Sequence, residues 1–180
     1  MRIKRHFTLT ELLLTISIIG VLLAILLPTI SGVREKAKIT EAKSELSSLV
    51  TAVKLYESTY GYLPLTASYI DSNNGSGGTE SEIGSTPYGL LISFLHGDNP
   101  REIRMLEVKE TLGQLLDPWG NRYGVALDSD YDGDIDQDTS NGVYEVVYAS
   151  AAAWSKGPDG NDDHGENDRA SDNDDIASWE

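Results

Sequence analysis

Residues Phe7 to Pro28 read FTLTELLLTISIIGVLLAILLP. Within them, Thr8 to Leu27 is 20 residues long and carries one charge, Glu11. At ~1.5 Å rise per residue, a helix of about 20 residues spans ~30 Å, the hydrocarbon thickness of a bilayer. The run therefore predicts a transmembrane helix over residues 7–28. Arg2, Lys4 and Arg5 precede it, and cations on that side keep the N-terminus cytoplasmic and send the bulk of the chain across. A secretory signal peptide also has a basic start, but its apolar region is shorter and ends in a small-x-small cleavage site. Here Leu27, Pro28, Thr29 and Ile30 follow instead. A plain anchor leaves Glu11 unexplained, because a carboxylate inside an apolar span is costly unless it is paired.

Outward from this stretch, Ala42, Leu46, Leu49, Val50, Val53 and Tyr56 recur at three- and four-residue steps, with Lys36, Glu41, Lys43, Glu45 and Lys54 mostly off the stripe. That period predicts an amphipathic helix over 29–60 that continues the first one past a kink at Pro28. It should stop at Tyr60-Gly61, since Gly favours a helix end and Pro64 forbids continuation. The stripe reads as core. Residues 61–116 form a variable region. Gly, Ser and Asn crowd 61–86 and predict a long loop. PYGLLISFLHG then predicts a short helix with Pro87 in its first turn and Gly97 past its end. A further short helix is expected from Arg101 to Met105. His96, at a helix end with no second His nearby, reads as a cap or solvated side chain rather than a ligand.

Residues 117–180 open with Asp117-Pro118-Trp119-Gly120-Asn121, whose residue types dictate a turn, with Trp119 as its anchor to the core. RYGVALD and GVYEVVYAS alternate and are β-rich, so they predict a hairpin bracketing an acidic loop, with a third short strand at Ala151–Ser155. The expected fold class is α+β: one long N-terminal helix packed on a small antiparallel C-terminal sheet, with residues 29–180 forming a single globular domain.

The 180-residue chain has a net charge of −15 and no Cys. Disulfide stapling is therefore excluded. From Asp117 onward, seventeen Asp and Glu face only Arg122, Lys156 and Arg169, which excludes a basic nucleic-acid surface. The acid is concentrated in two loops. In the first, Asp128, Asp130, Asp132 and Asp136 fall at positions 1, 3, 5 and 9 of an EF-hand-like pattern, with Gly133 at 6, Asp134 at 7 and Ile135 at 8. Alternating oxygen donors with a Gly turn can wrap one Ca²⁺. Thr139 stands where the pattern has a bidentate Glu, and the flanks read as strands, so a solvated hairpin tip is the competing reading. The second loop, SKGPDGNDDHGENDRASDNDDIASW, crowds so many carboxylates that they repel one another unless a cation intervenes. Trp179 argues that this tail is pinned to the domain.

The leader and first helix, KRHFTLTELLLTISIIGVLLAILLP, resemble the N-terminal signal of type IV pilins and type II secretion pseudopilins. DPWGN, the Tyr60-Gly61-Tyr62-Leu63-Pro64 turn and the closing acidic loop resemble the major pseudopilins in particular; 65–115 is least matched. The resemblance implies a pilin-like fold and a leader, 1–6, cleaved between His6 and Phe7 by a prepilin peptidase. Phe7 would then be N-methylated, and Glu11 would pair with the new amine of a neighbouring subunit. His6 stands where the family carries Gly. The resemblance also implies calcium in the second loop, with Asp159 as a ligand and Asp162, Glu166, Asp168, Asp174 and Asp175 as further candidates. Its implied partners are other copies of the chain in a homopolymer, minor pseudopilins and an inner-membrane assembly platform. Its implied location is the bacterial inner membrane, single-pass, with the C-terminal domain in the periplasm and in an assembled pseudopilus.

The expected function is that of a structural pseudopilus subunit that polymerises through its N-terminal helix to drive protein export. A type IV pilin for adhesion or motility shares the N-terminus. A membrane-tethered calcium-binding module that never polymerises is the alternative from another class. Three scattered His and loop-borne carboxylates supply no positioned base, so an enzyme is not expected.

Overall fold

A computed structural model describes residues 8–66, 85–108, 115–138, 144–161 and 174–179, with backbone alone at 26–31, 85–86, 136–138 and 144–145. The chain divides into two compact units, 1–38 and 39–180. One helix, α1 (Leu9–Tyr60), is continuous through both and is not broken at Pro28.

In the first unit, every large apolar side chain from Leu9 to Ile25 is 49–74% exposed. A helix that is apolar on all sides is not a surface helix of a water-soluble domain. Among the described residues no helix is long and apolar enough to cross a membrane. Side chains are described from Thr8 to Ile25 in this part of the helix. The rest of the expected span lies outside the described side chains.

In the second unit, α1 buries Ala42, Leu46, Leu49, Ala52, Val53 and Tyr56, each at most 3% exposed. This is the expected stripe, with Ala52 joining it and Val50 only half-buried. Leu63 and Leu65 pack on it after the helix turns out at Gly61, whose φ of 78° is the left-handed geometry expected there. The second helix, α2 (Ser85–His96), adds Tyr88, Leu91, Ile92 and Leu95 to the same core. No helix follows at 101–105, contrary to the expectation from sequence. Glu102 has φ 53°, which a right-handed helix does not accommodate. The buried Asn99 replaces helical bonds: its amide donates to the Phe94 and Ile103 carbonyls, and its Oδ1 accepts from Ile103 N–H and the Tyr60 hydroxyl.

Five strands follow: β1 (Gly124–Leu127), β2 (Ile135–Asp138), β3 (Tyr144–Val147), β4 (Ala151–Ser155) and β5 (Ile176–Ala177). The expected hairpin pairs differently. β1 joins β4, with Gly124 opposite Trp154, and β5 completes an antiparallel sheet in the order β1-β4-β5. β3 instead pairs with β2, a strand inside the segment read as acidic loop, with Ile135 opposite Val147. The reason is that β1 and β4 are buried on both faces. Val125, Leu127, Ala151 and Ala153 face the helices. Ala126, Ala152 and Trp154 face Ile135 and Val147 of the β2–β3 ribbon. The ribbon is thus a lid on the second face of the sheet rather than an extension of its edge. Helices and a small antiparallel sheet make the expected α+β, pilin-like fold.

The chain's end is pinned as Trp179 suggested. Trp179 stands edge-on to Trp154 at 6.2 Å between ring centroids, and Ser178 N–H donates to the Ala153 carbonyl. Trp154 needs the space Gly124 leaves: a Cβ there would lie 2.2 Å from its ring. Gly124→Ala is expected to destabilise the domain by about 1–3 kcal/mol through overpacking, read as a lowered urea midpoint with unchanged slope. The sheet is also tied to α1, since the fully buried Tyr123 hydroxyl donates to Glu45 Oε2 at 2.6 Å. Burial, reinforced by that carboxylate, pushes the Tyr123 phenol well above its ordinary range. The folded state holds this proton where the unfolded chain releases it. The contribution is therefore complete below about pH 10 and is lost as pH climbs toward the folded value, by up to ~1.4 kcal/mol per pH unit. Tyr123→Phe should flatten the alkaline limb of a stability–pH curve by one proton.

Candidate functional site

Three regions carry the residues singled out from sequence. In the first, Thr8 precedes α1 and Glu11 lies in its first turn. The Thr8 N–H and hydroxyl both donate to Glu11 Oε2, at 2.9 and 2.8 Å, and Glu11 N–H donates back to Thr8 Oγ1 at 3.2 Å. This reciprocal arrangement is a capping box. Its signal, Thr-x-x-Glu, is present in the sequence and is a second role for Glu11. His6 and Phe7 lie outside the described residues.

The second region is the acidic loop between β1 and β2. Carboxylate oxygens of Asp128, Asp130 and Asp132 lie within 4.8 Å of one another. Asp128 is 5% exposed. Its Oδ2 accepts from Gly133 N–H at 3.1 Å, while its Oδ1 is buried without a hydrogen-bond partner. Leaving a buried acceptor unsatisfied costs about 1–3 kcal/mol, and more for a charged group. Burial accordingly pushes the Asp128 carboxyl above the usual carboxylate range; the Gly133 N–H opposes the shift, and Asp130 and Asp132 add to it. Asp130 and Asp132 each accept from a backbone N–H two residues on. Gly133 takes φ 101° and Tyr131 φ 63°. The Tyr131 hydroxyl accepts from Leu63 N–H at 2.9 Å, which ties the loop to the exit of α1. Ile135, position 8 of the pattern, is fully buried in β2. Asp134 is half-buried, and the Asp136 side chain lies outside the described residues.

The third region is the loop between β4 and β5. Asp159 is exposed, and its two oxygens accept from the N–H and the side-chain amide of Asn161, both at 2.8 Å. Asp162, Glu166 and Asp168 lie outside the described residues. Asp174 and Asp175 are half-buried ahead of β5. The loop's two ends meet: a Cβ on Gly157 would lie 2.5 Å from the Asp174 carbonyl oxygen and 2.7 Å from its Oδ1. This close approach is one only Gly allows, and Gly157 has φ 61°.

What holds this third loop was not read from sequence. Asp117 is 4% exposed and acts as a hub. Its Oδ1 accepts from Trp119 and Asn121 N–H, closing the DPWGN turn, and its Oδ2 accepts from the Ser155 hydroxyl at 2.7 Å. The Ser155 oxygen in turn accepts from Gly157 N–H, and the Asn121 amide donates to the Gly157 carbonyl. The turn is therefore a clamp on the start of the acidic loop. Its residue types revealed a turn; the partner, Ser155, lies too far along the chain for local pattern to reveal.

His96 Nδ1 lies 3.2 Å from the Leu106 carbonyl, a hydrogen bond when Nδ1 carries a proton. Its partner is thus a backbone carbonyl ten residues on, beyond the helix. A cleft of about 550 Å³ runs beside α1 past Ser44, Glu45 and Ser48. Ser48 donates its hydroxyl to the Ser44 carbonyl, and Glu45 receives Tyr123, so these groups serve the scaffold.

Similarity to known proteins agrees with this geometry. The chain is 31% identical to a fimbrial protein of Pseudomonas aeruginosa over 127 residues, covering 71% of this chain and 75% of that protein. It is 26% identical over 176 residues to type II secretion system core protein G of Escherichia coli (strain K12), covering 98% and 91% of the two chains. The Klebsiella pneumoniae core protein G is likewise 26% identical, over 179 residues. No family model matches the chain, and no solved structure matches it. The chain belongs to the type IV pilin and pseudopilin family. Within that family it is of the core pseudopilin kind, a structural rather than an enzymatic protein.

If the Asp117 clamp holds the third loop, Asp117→Ala should cost roughly 3 kcal/mol by stranding buried donors. It should also speed tryptic cleavage after Lys156. Asp117→Asn, which keeps an acceptor, should lose less on both measurements.

Proposed function

We propose that this chain is the major structural subunit of a type II secretion pseudopilus, polymerising through the N-terminal part of α1. The single observation that carries this reading is an N-terminal helix with apolar side chains exposed on every face and one carboxylate at its start. Exposed apolar area of that extent needs a bilayer before assembly and neighbouring helices after it. The near-complete length match to core protein G favours a pseudopilin over an adhesive or motility pilin, whose similarity covers less of the chain.

In this reading residues 7–28 anchor the subunit in the bacterial inner membrane, with 39–180 on the periplasmic side. A prepilin peptidase removes 1–6, and Phe7 becomes the methylated N-terminus. The Glu11 carboxylate, held toward the helix start by Thr8, meets the amine of a neighbouring Phe7. Opposite charges in a low-dielectric setting attract far more strongly than in water. An inner-membrane assembly platform and minor pseudopilins are the other partners. Calcium in the third loop is part of the same proposal. The close approach of Gly157 to Asp174 fits it, because it brings the loop's two ends together; Asp159 follows Gly157 by two residues. Asp162, Glu166, Asp168 and Asp175 are the further donors.

The test is assembly in a strain that carries the secretion machinery. Glu11→Leu should insert normally yet give no filaments in the sheared fraction, and Glu11→Gln, which can still cap α1, should also fail. Normal filaments from Glu11→Gln would sink the charge-pairing role. Intact mass of the parent should show the loss of residues 1–6 together with a methyl group.

A further inference from the structure

We infer that the loop joining β1 to β2 is a divalent-cation site selective for Ca²⁺, built on Asp128, Asp130 and Asp132. It is separate from the loop between β4 and β5 and does not depend on how the chain assembles. Two independent observations carry it. The three side chains bring carboxylate oxygens within 4.8 Å of one another. The carboxylate at the base of the cluster, Asp128, is buried, and its Oδ1 has neither water access nor a hydrogen-bond partner. A buried anion with an unsatisfied oxygen beside two exposed anions is the environment a cation neutralises.

The chemistry selects among cations. The donors are all hard oxygens, with no His or Cys, which disfavours zinc and copper. Ca²⁺ takes about six to eight oxygens in flexible geometry, whereas Mg²⁺ demands near-ideal octahedral placement and keeps its waters. Asp130 and Asp132 are exposed, so water completes the shell at little cost.

The site's position gives it a structural consequence. Tyr131, inside the cluster, is anchored to Leu63 beyond α1, and Ile135, just after it, sits in the core that covers Trp154. An ion here therefore fixes the β2–β3 ribbon over the second face of the sheet. It also explains how a chain without disulfides secures this segment.

The experiment uses the full chain in detergent, stripped with EDTA and titrated calorimetrically with CaCl2 or MgCl2, with Tb³⁺ luminescence excited through tyrosine and tryptophan as a second probe. Binding is expected in the range of about 0.1–1 mM or tighter. A hundredfold excess over Kd should raise Tm by about 5 °C or more. Asp130→Ala combined with Asp132→Ala, both at exposed positions, should lose one equivalent of Ca²⁺ and its share of the Tm rise while keeping the parent's circular dichroism. Asp132→Asn should weaken the same equivalent at least tenfold, which guards against misfolding of the double variant. Asp159→Ala should retain it. An unchanged stoichiometry and affinity in the double variant, no binding by the parent at millimolar Ca²⁺, or equal binding of Mg²⁺ would each overturn the assignment.

Discussion

The first turns of α1 impose a constraint that a single chain does not satisfy. From Leu9 to Ile25 large apolar side chains point in every direction and are about half exposed or more. Burial of such area is the dominant favourable term in folding and association, and among the described residues none covers these side chains. In the function proposed above, lipid before assembly and other copies after it supply that burial. The same helix carries its own core partner further along, where Ala42, Leu46, Leu49, Val53 and Tyr56 are closed over by α2 and the sheet. One continuous helix thus serves two environments, and the boundary between them is where apolar residues stop covering all faces and contract to one stripe.

Within the second unit, backbone polar groups decide where segments go. Asn99 ends any helical continuation after α2 by taking over backbone bonds on both sides. Asp117 performs the comparable task at the DPWGN turn and reaches across to Ser155, so that the closing loop begins from a fixed point. Both show a buried polar group made favourable by complete hydrogen bonding, and Asp128 shows the opposite condition, with one oxygen left over.

Much of this was legible in the sequence. The span of α1, its exit at Gly61, the limits of α2, the buried stripe and the order conferred by Trp179 all follow from local period and turn chemistry. The errors share one cause. Arg101–Met105 has residues that tolerate a helix, but Asn99 and the left-handed Glu102 override them. The alternation of GVYEVVYAS predicts the strand but not its partner, because pairing depends on which face is already covered. The capping box at Thr8 and Glu11 was readable and was eclipsed by the apolar run around it.

The sequence by itself determined the family, the apolar N-terminal helix, the absence of disulfides and the two acidic loops, because these depend on composition and short-range spacing. Only the tertiary structure decided that β1 pairs with β4, that the β2–β3 ribbon covers Trp154, and that Asp117 grips Ser155. It alone revealed that Asp128 is 5% exposed with its Oδ1 lacking a hydrogen-bond partner. Burial is a property of what packs around a residue, and that information is distributed over chain segments too far apart for any local pattern to contain.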